Sequence, residues 1–448
     1  HCPPTGGWEG LKPGKPEDLP VSLVIIRRLG DGAIECEQSI GFGNLCSIHW
    51  SSFLRIVFWI NDQRMKKNVL GIIIMILLIA CQPTKDQSSE NETIDLATES
   101  FSFTPKVKYA KHFSLHKYGD VKAMIVKNPW DEGDTLVSYA LYPKGSQEPA
   151  LGWAEFKIPV PIDEVVATSS PHVGFISLIN ELERITGVAD DRYIFDSYIY
   201  DKISTGQIAQ VGSLRDSNLE VLLDLSPDLV MKTGVDNVRN EDARLTEAGI
   251  PISYNVEWME TNMLARAEWI KFVGAFFNKD EKADSIFSSV EKEYLKALSI
   301  TSDISDRPSI MTGNNFKGTW YMPGSDSYLT KLIHDAGGDY YYKNEKSTGS
   351  LPLSFEVVLD DLIDADYWIG PRAESLKELE MMDERYTLFK AFKTGNVYTS
   401  NKRMSENGGN DYWESGMSRP DLILKDVIKI FHPGLLPDHD LYYYKKLQ

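Results

Sequence analysis

From Asp280 to Ser299 the chain runs twenty residues without a glycine or proline, and Ala283, Phe287, Val290, Tyr294 and Leu298 recur at steps of three or four between charged neighbours. That period is the mark of one long amphipathic helix, predicted to span 280–300. The sequence on either side has a different rhythm. Before it, Glu164–Thr168 reads as a strand running into Ser169-Ser170-Pro171-His172, where serine and proline suit a helix start. A short helix at Asn218–Leu225 ends at Ser226-Pro227 and yields to a strand at Asp228–Met231, and Glu241–Ala248 yields at Gly249 to a strand at Ile250–Tyr254. After it, strands at Ser309–Thr312, Tyr367–Gly370 and Asn396–Tyr398 alternate with helices at Ser327–Ala336, Phe355–Ile363 and Pro420–Phe431. Strands alternating with helices predict mainly parallel, doubly wound sheets, with ligands at the carboxyl ends of the strands. The expected fold class is therefore α/β, with two lobes, 161–279 and 301–448, flanking the long helix.

Residues 101–160 break this rhythm. Val121–Val126 and Thr135–Leu141 have strand length and nearly strand period, bounded by Asn128-Pro129 and Asp131-Glu132-Gly133, which predicts a small β segment ahead of the lobes. Further upstream, Met65-Lys66-Lys67-Asn68, the apolar run Val69–Ala80 and then Cys81 have the order of a secretion signal. The run is too short for a bilayer-spanning helix, which needs about 20 apolar residues. Leu78-Ile79-Ala80-Cys81 resembles the bacterial lipobox, which implies acylation of the Cys81 thiol, with 65–81 a signal peptide and polar 82–100 a flexible tether. Residues 1–64 then precede a start codon and are expected to be a non-native or over-extended segment.

A formal net charge of -18 over 448 residues disfavours a nucleic-acid partner, which needs a basic face. The cysteines are Cys2, Cys36, Cys46 and Cys81, so neither lobe can hold a disulfide or a thiolate metal site. The chain has no Gly-x-Ser-x-Gly elbow, no His-Glu-x-x-His pair and no phosphate loop, so the framework is expected to bind rather than catalyse. Asp360, Asp361, Asp364 and Asp366, at a helix end, read as a solvated face rather than a metal cluster.

Several stretches carry a family resemblance: Val211-Gly212 leading to Asn218-Leu219-Glu220, then Leu222-Leu223-Asp224-Leu225-Ser226-Pro227-Asp228-Leu229-Val230, the helix after Asp280, and Leu353-Ser354-Phe355-Glu356-Val357-Val358. Through them 165–431 resembles the solute-binding proteins of iron-siderophore, haem and cobalamin ABC importers. The resemblance implies two Rossmann-like lobes joined by one helix and a small-molecule metal chelate in the cleft between them. It also implies ABC permease and ATPase subunits as partners of a monomeric, membrane-anchored, extracytoplasmic lipoprotein, whose alternative is a surface capture lipoprotein serving an outer-membrane receptor. No resident cofactor is implied; iron or cobalt would arrive with the ligand. In this family one glutamate on each lobe docks on permease arginines, and Glu220 and Glu356 match those positions. Two carboxylates on separate lobes would give a steered, two-point contact that guanidinium groups bind bidentately. The chain departs from the cobalamin-binding members, which carry a tryptophan shortly before the first docking glutamate; Leu214 stands there instead, which weakens a corrinoid as cargo.

Loops at the strand ends should then face the ligand. Trp320, Tyr321, Tyr412 and Trp413 are expected to stack on a flat macrocycle or catechol ring. Arg215, Lys317, Arg403 and Arg419 are expected to face ligand carboxylates or an anionic chelate. His172, opening a helix at a strand end, is a candidate for ligating metal, with capping or hydrogen bonding as its other reading.

Overall fold

The computed structural model describes residues 106–131, 133–213, 217–236 and 239–448, the side chains of 239–241 excepted. In a first compact unit, 1–90, it describes only Arg27–Arg28 paired antiparallel with Ile34–Glu35. All else belongs to the second unit, 91–448. The expected signal peptide, Cys81, the whole tether and Arg215 lie outside the described residues.

Three strands, β1 (Phe113–Tyr118), β2 (Val121–Lys127) and β3 (Thr135–Pro143), form an antiparallel meander, and β4 (Phe156–Val160) returns parallel to β3. Phe113, Leu115, Met124, Val126, Tyr139, Leu141 and Ile158 are buried in the same core as the lobe that follows. In β1 and β4 the buried residues alternate, as a face packed on a core requires, whereas β3 is buried on both faces.

The first lobe runs β5 (Val165–Ala167), α1 (Ser170–Leu178), β6 (Ile185–Val188), α2 (Ser197–Ser204), β7 (Ala209–Gln210), α3 (Leu219–Leu225), β8 (Leu229–Thr233), α4 (Arg239–Glu247) and β9 (Ile252–Asn255). Its five strands are all parallel in the order β9-β8-β5-β6-β7. Every residue of β5 and β9 is buried, as expected of strands covered on both faces.

Next comes α5 (Met263–Phe276), which the sequence pattern does not announce: all fourteen residues are buried, Arg266, Glu268 and Lys271 included. The Glu268 carboxylate accepts the backbone N–H groups of Lys108 (2.8 Å), Tyr109 (2.6 Å) and Ala110 (2.9 Å), and Lys271 Nζ at 3.1 Å. The chain leading into β1 is thereby strapped to this helix. The long helix, α6, spans Asp280–Ile300. Its single apolar stripe serves two interiors: Ala283 and Phe287 lie in the first lobe's core, Tyr294 and Ala297 in the second's.

The second lobe contains β10 (Ser309–Thr312), β11 (Asn315–Phe316), β12 (Thr319–Pro323), α7 (Tyr328–Asp335), β13 (Asp339–Tyr340), β14 (Ser350–Leu353), α8 (Phe355–Leu362), β15 (Tyr367–Ile369), α9 (Leu376–Met382), α10 (Lys390–Lys393), β16 (Val397–Thr399), α11 (Asp411–Glu414), α12 (Pro420–Phe431) and β17 (Lys445–Lys446). Its sheet has the order β13-β10-β15-β16-β17, parallel but for β17. A small antiparallel sheet, β11-β12-β14, stands where the sequence suggests a loop. Lys317 and Gly318 turn its hairpin with φ of 52° and 91°, the left-handed pair a two-residue turn demands. Among the described residues no helix is long and apolar enough to cross a membrane.

Candidate functional site

A cavity of about 610 Å³ lies where the two lobes face each other, a size suited to a drug-sized or larger ligand. The second lobe lines it with the carboxyl ends of its strands: Thr312–Phe316 after β10, Ile369, Gly370 and Arg372 after β15, and Ser400 after β16. The first lobe's share is one segment, Trp258–Thr261, following β9. Seven rings form much of the wall: Trp258, Phe316, Tyr321, Tyr328, Tyr412, Trp413 and Tyr444. Behind them the buried Arg266 guanidinium stacks on Tyr328 at 4.2 Å, beside buried Glu257, whose carboxyl is pushed up by burial. A smaller cavity, about 370 Å³, lies beside β1 and the start of α6, but Asp280 and Glu181 neutralise two of its lysines, Lys122 and Lys279.

Of the residues expected at the ligand, Tyr321, Tyr412 and Trp413 line this cleft. The others described do not. Trp320 is fully buried, its indole donating to the Thr312 carbonyl at 2.8 Å amid Trp368, Phe355, Tyr386 and Phe389, so it is the hub of the second core. Lys317 sits on the hairpin tip, its ammonium 5.2 Å above the Phe316 ring. Arg419 is held by both carboxylate oxygens of Asp421, at 2.9 and 2.8 Å. Arg403 pairs with Asp411 and lies over Phe195 of the first lobe, which makes it a stitch between lobes. His172 is buried without a well-formed hydrogen bond at either ring nitrogen. Burial lowers its pKa to about 3, against a weak opposing pull from the Met231 carbonyl, so it is a neutral core residue.

Several residues of the cleft were not anticipated, among them Trp258, Tyr328, Arg372 and Tyr444. Arg372 is an exposed cation on the wall, its backbone N–H donating to Asn314 Oδ1 at 3.2 Å; the signal for it is an arginine two residues past the Gly370 that ends a strand. Trp258 follows the strand Ile252–Asn255 in the same way. Arg372→Ala should weaken a carboxylate-bearing ligand about tenfold, the worth of a charged hydrogen bond, and leave a neutral one unchanged in the same titration.

The lobes also touch beside this cleft. Glu414 of α11 accepts the backbone N–H groups of Phe195 (2.8 Å) and Asp196 (2.9 Å) across the interface. Burial, with Asp196 and Asp411 adding to it, pushes its carboxyl up to about 8. At Gly174 of α1 a Cβ would stand 2.1 Å from the Glu414 carbonyl oxygen, so only glycine lets these backbones meet.

Glu220 and Glu356 occupy the first turns of α3 and α8, behind the caps Asn218 and Ser354, and both are exposed. A carboxylate is favoured there by the helix N-terminus. Glu356 also accepts from Arg385 Nη1 at 3.1 Å.

The sequence profile of the periplasmic binding protein family matches residues 165–404, more than half of the chain. The chain belongs to that family. Two uncharacterized lipoproteins of Methanocaldococcus jannaschii are 26% identical over 407 residues, covering 84% of this chain and 95% of the relative, and 25% identical over 410 residues, covering 85% and 98%. Such coverage exceeds what Val165 to the C-terminus can supply, so the likeness includes residues ahead of the family match. Among solved structures, Helicobacter pylori CeuE with Ni(II) bound superposes with a TM-score of 0.50 at 16% identity, covering 66% of this chain and 92% of that one. This last likeness bears on the fold: two α/β lobes with parallel sheets and a helical link.

Proposed function

We propose that the chain is the extracytoplasmic binding component of an ABC importer. It carries a ferric siderophore, haem or corrinoid in the inter-lobe cleft, is anchored through acylated Cys81, and delivers its cargo by docking Glu220 and Glu356 on the permease. The observation that carries this reading is the cleft itself: seven aromatic rings, one exposed arginine and a cavity of about 610 Å³ between two lobes on a single helix. Rings of this density suit a flat, conjugated guest, which stacking holds without any group that must react. The guest would then leave unchanged. Membership of the periplasmic binding protein family supports the transport role, and the M. jannaschii relatives named as lipoproteins support the anchor.

Tryptophan-fluorescence titration with haemin, a ferric tris-catecholate and cyanocobalamin tests the cargo class, because Trp258 and Trp413 line the cleft and should be quenched on occupancy. Absence of quenching by all three would remove that class. Replacing Glu220 and Glu356 together by alanine should cut uptake by cells about tenfold or more, since each loses a charge-assisted contact. Binding in the titration should stay as it was. Loss of binding would place those glutamates in the ligand site instead.

A further inference from the structure

The first lobe contributes a single turn to the cleft, Trp258–Thr261, and three groups from outside the family match hold that turn in place. The strand entering it, β9, is an edge of the first lobe's sheet. An edge strand has unpaired backbone groups, and the Tyr254 N–H on this one donates to the Tyr139 hydroxyl of β3 at 3.0 Å. Next, the Trp258 ring lies 6.1 Å from the ring of Trp130, inclined at 49°. Trp130 sits in the β2–β3 loop, its N–H bonded to Asn128 Oδ1 at 2.9 Å. Finally, buried Glu260 accepts the backbone N–H groups of Lys111 and His112, just ahead of β1, at 3.0 and 3.1 Å, and the Trp269 indole at 3.1 Å. Among the described residues, the lobe's own hydrogen bond to the Trp258 side chain runs from its indole to the Gly234 carbonyl at 3.0 Å.

We propose that the four-stranded sheet is a working part of the ligand site: it positions the first lobe's wall of the cleft, and Trp130 is the residue that sets the Trp258 ring against a planar, conjugated ligand. Trp130 is a positioning residue, since it touches Trp258 and does not line the cavity. A ring held at one end by a hydrogen bond can swing; a second ring packed against it removes that freedom before the ligand arrives, so less ordering cost falls on binding. The proposal rests on the cleft being the ligand site.

The test compares wild type, Trp130→Ala and Trp130→Phe in titrations with haemin, a ferric tris-catecholate and cyanocobalamin. Far-ultraviolet circular dichroism follows the exciton couplet expected of two indoles this close. Trp130→Ala should lose the couplet and weaken whichever probe binds by about fivefold, the worth of an aromatic pair. Trp130→Phe should lose the couplet yet bind within about twofold of wild type, because a ring still packs there. Equal affinity in Trp130→Ala and wild type would overturn the proposal while leaving the cleft's role intact. If wild type binds none of the three, the cargo class above fails, and amide exchange in the free protein decides the positioning claim. Faster exchange at 258–261 in Trp130→Ala than in Trp130→Phe upholds it, and equal exchange overturns it.

Discussion

Glu268→Ala is expected to destabilise the protein by about 3–5 kcal/mol, the cost of stripping one partner from a buried ionic cluster. The carboxylate is fully buried and accepts three successive backbone N–H groups, from Lys108, Tyr109 and Ala110, as well as Lys271 Nζ. Alanine would leave those half-buried donors without their acceptor and open a hole in the buried cluster around Lys271. Asp284, 2.9 Å from Lys271 Nζ, and the Lys106 carbonyl still compensate the ammonium, which keeps the loss from being larger. Glu268→Gln retains one acceptor oxygen and should lose about half as much. Urea unfolding curves measure both variants. A midpoint for Glu268→Ala within error of wild type would mean that the strap is not held by this side chain.

Two buried groups, His172 and Glu414, should make stability greatest on a plateau at mildly acid pH and lower on both sides. His172 has its pKa depressed from 6.5 to about 3, so the folded state resists a proton that the unfolded chain takes up readily. Its contribution is present above pH 6.5 and is lost progressively as pH falls toward 3. Glu414 is the reverse case. Its pKa rises from 4.5 to about 8, so the folded state holds a proton that the unfolded chain gives up. Its contribution is present below pH 4.5 and is lost as pH climbs through 8. Between 4.5 and 6.5 the two slopes oppose one another; outside that window each acts alone, with a limit of about 1.4 kcal/mol per pH unit. Melting temperature against pH tests this, and Glu414→Gln should flatten the alkaline limb while sparing the acid one. An alkaline limb unchanged in Glu414→Gln would assign it to other groups.

How far the sequence reveals this molecule depends on whether each residue keeps to a pattern. The helix Asp280–Ile300 was legible because its apolar stripe alternates with solvated charge. The helix Met263–Phe276 was not, although it is the more buried of the two. It is covered on every side, so no polar face marks its period, and Arg266, Glu268 and Lys271 resemble surface residues until their partners are seen. Of the residues chosen by the rule that ligands gather at strand ends, Tyr321, Tyr412 and Trp413 line the cleft; the rule also applies to Arg372 and Trp258, which were overlooked. It failed for Trp320 and His172, because proximity to a strand end says nothing about which way a side chain turns. Trp320 turns inward to give its indole proton to Thr312, and His172 is fully buried near the Met231 carbonyl of its own lobe. The cations misled for an electrostatic reason: in a chain this acidic, Arg403 and Arg419 find carboxylates of their own, Asp411 and Asp421, before any ligand does.

The meeting of Gly174 with the Glu414 backbone limits how the molecule can open. The two lobes are also tied along α6, through Met263 and Leu264 of α5 in the second core, and by Ser405 and Asn407 bonding to the Ile194 carbonyl. Sliding and splaying are closed to them, because a packed stripe and a backbone-on-backbone seat do not stretch. What remains is a small rocking, so a ligand entering the cleft should meet a mouth of nearly constant width.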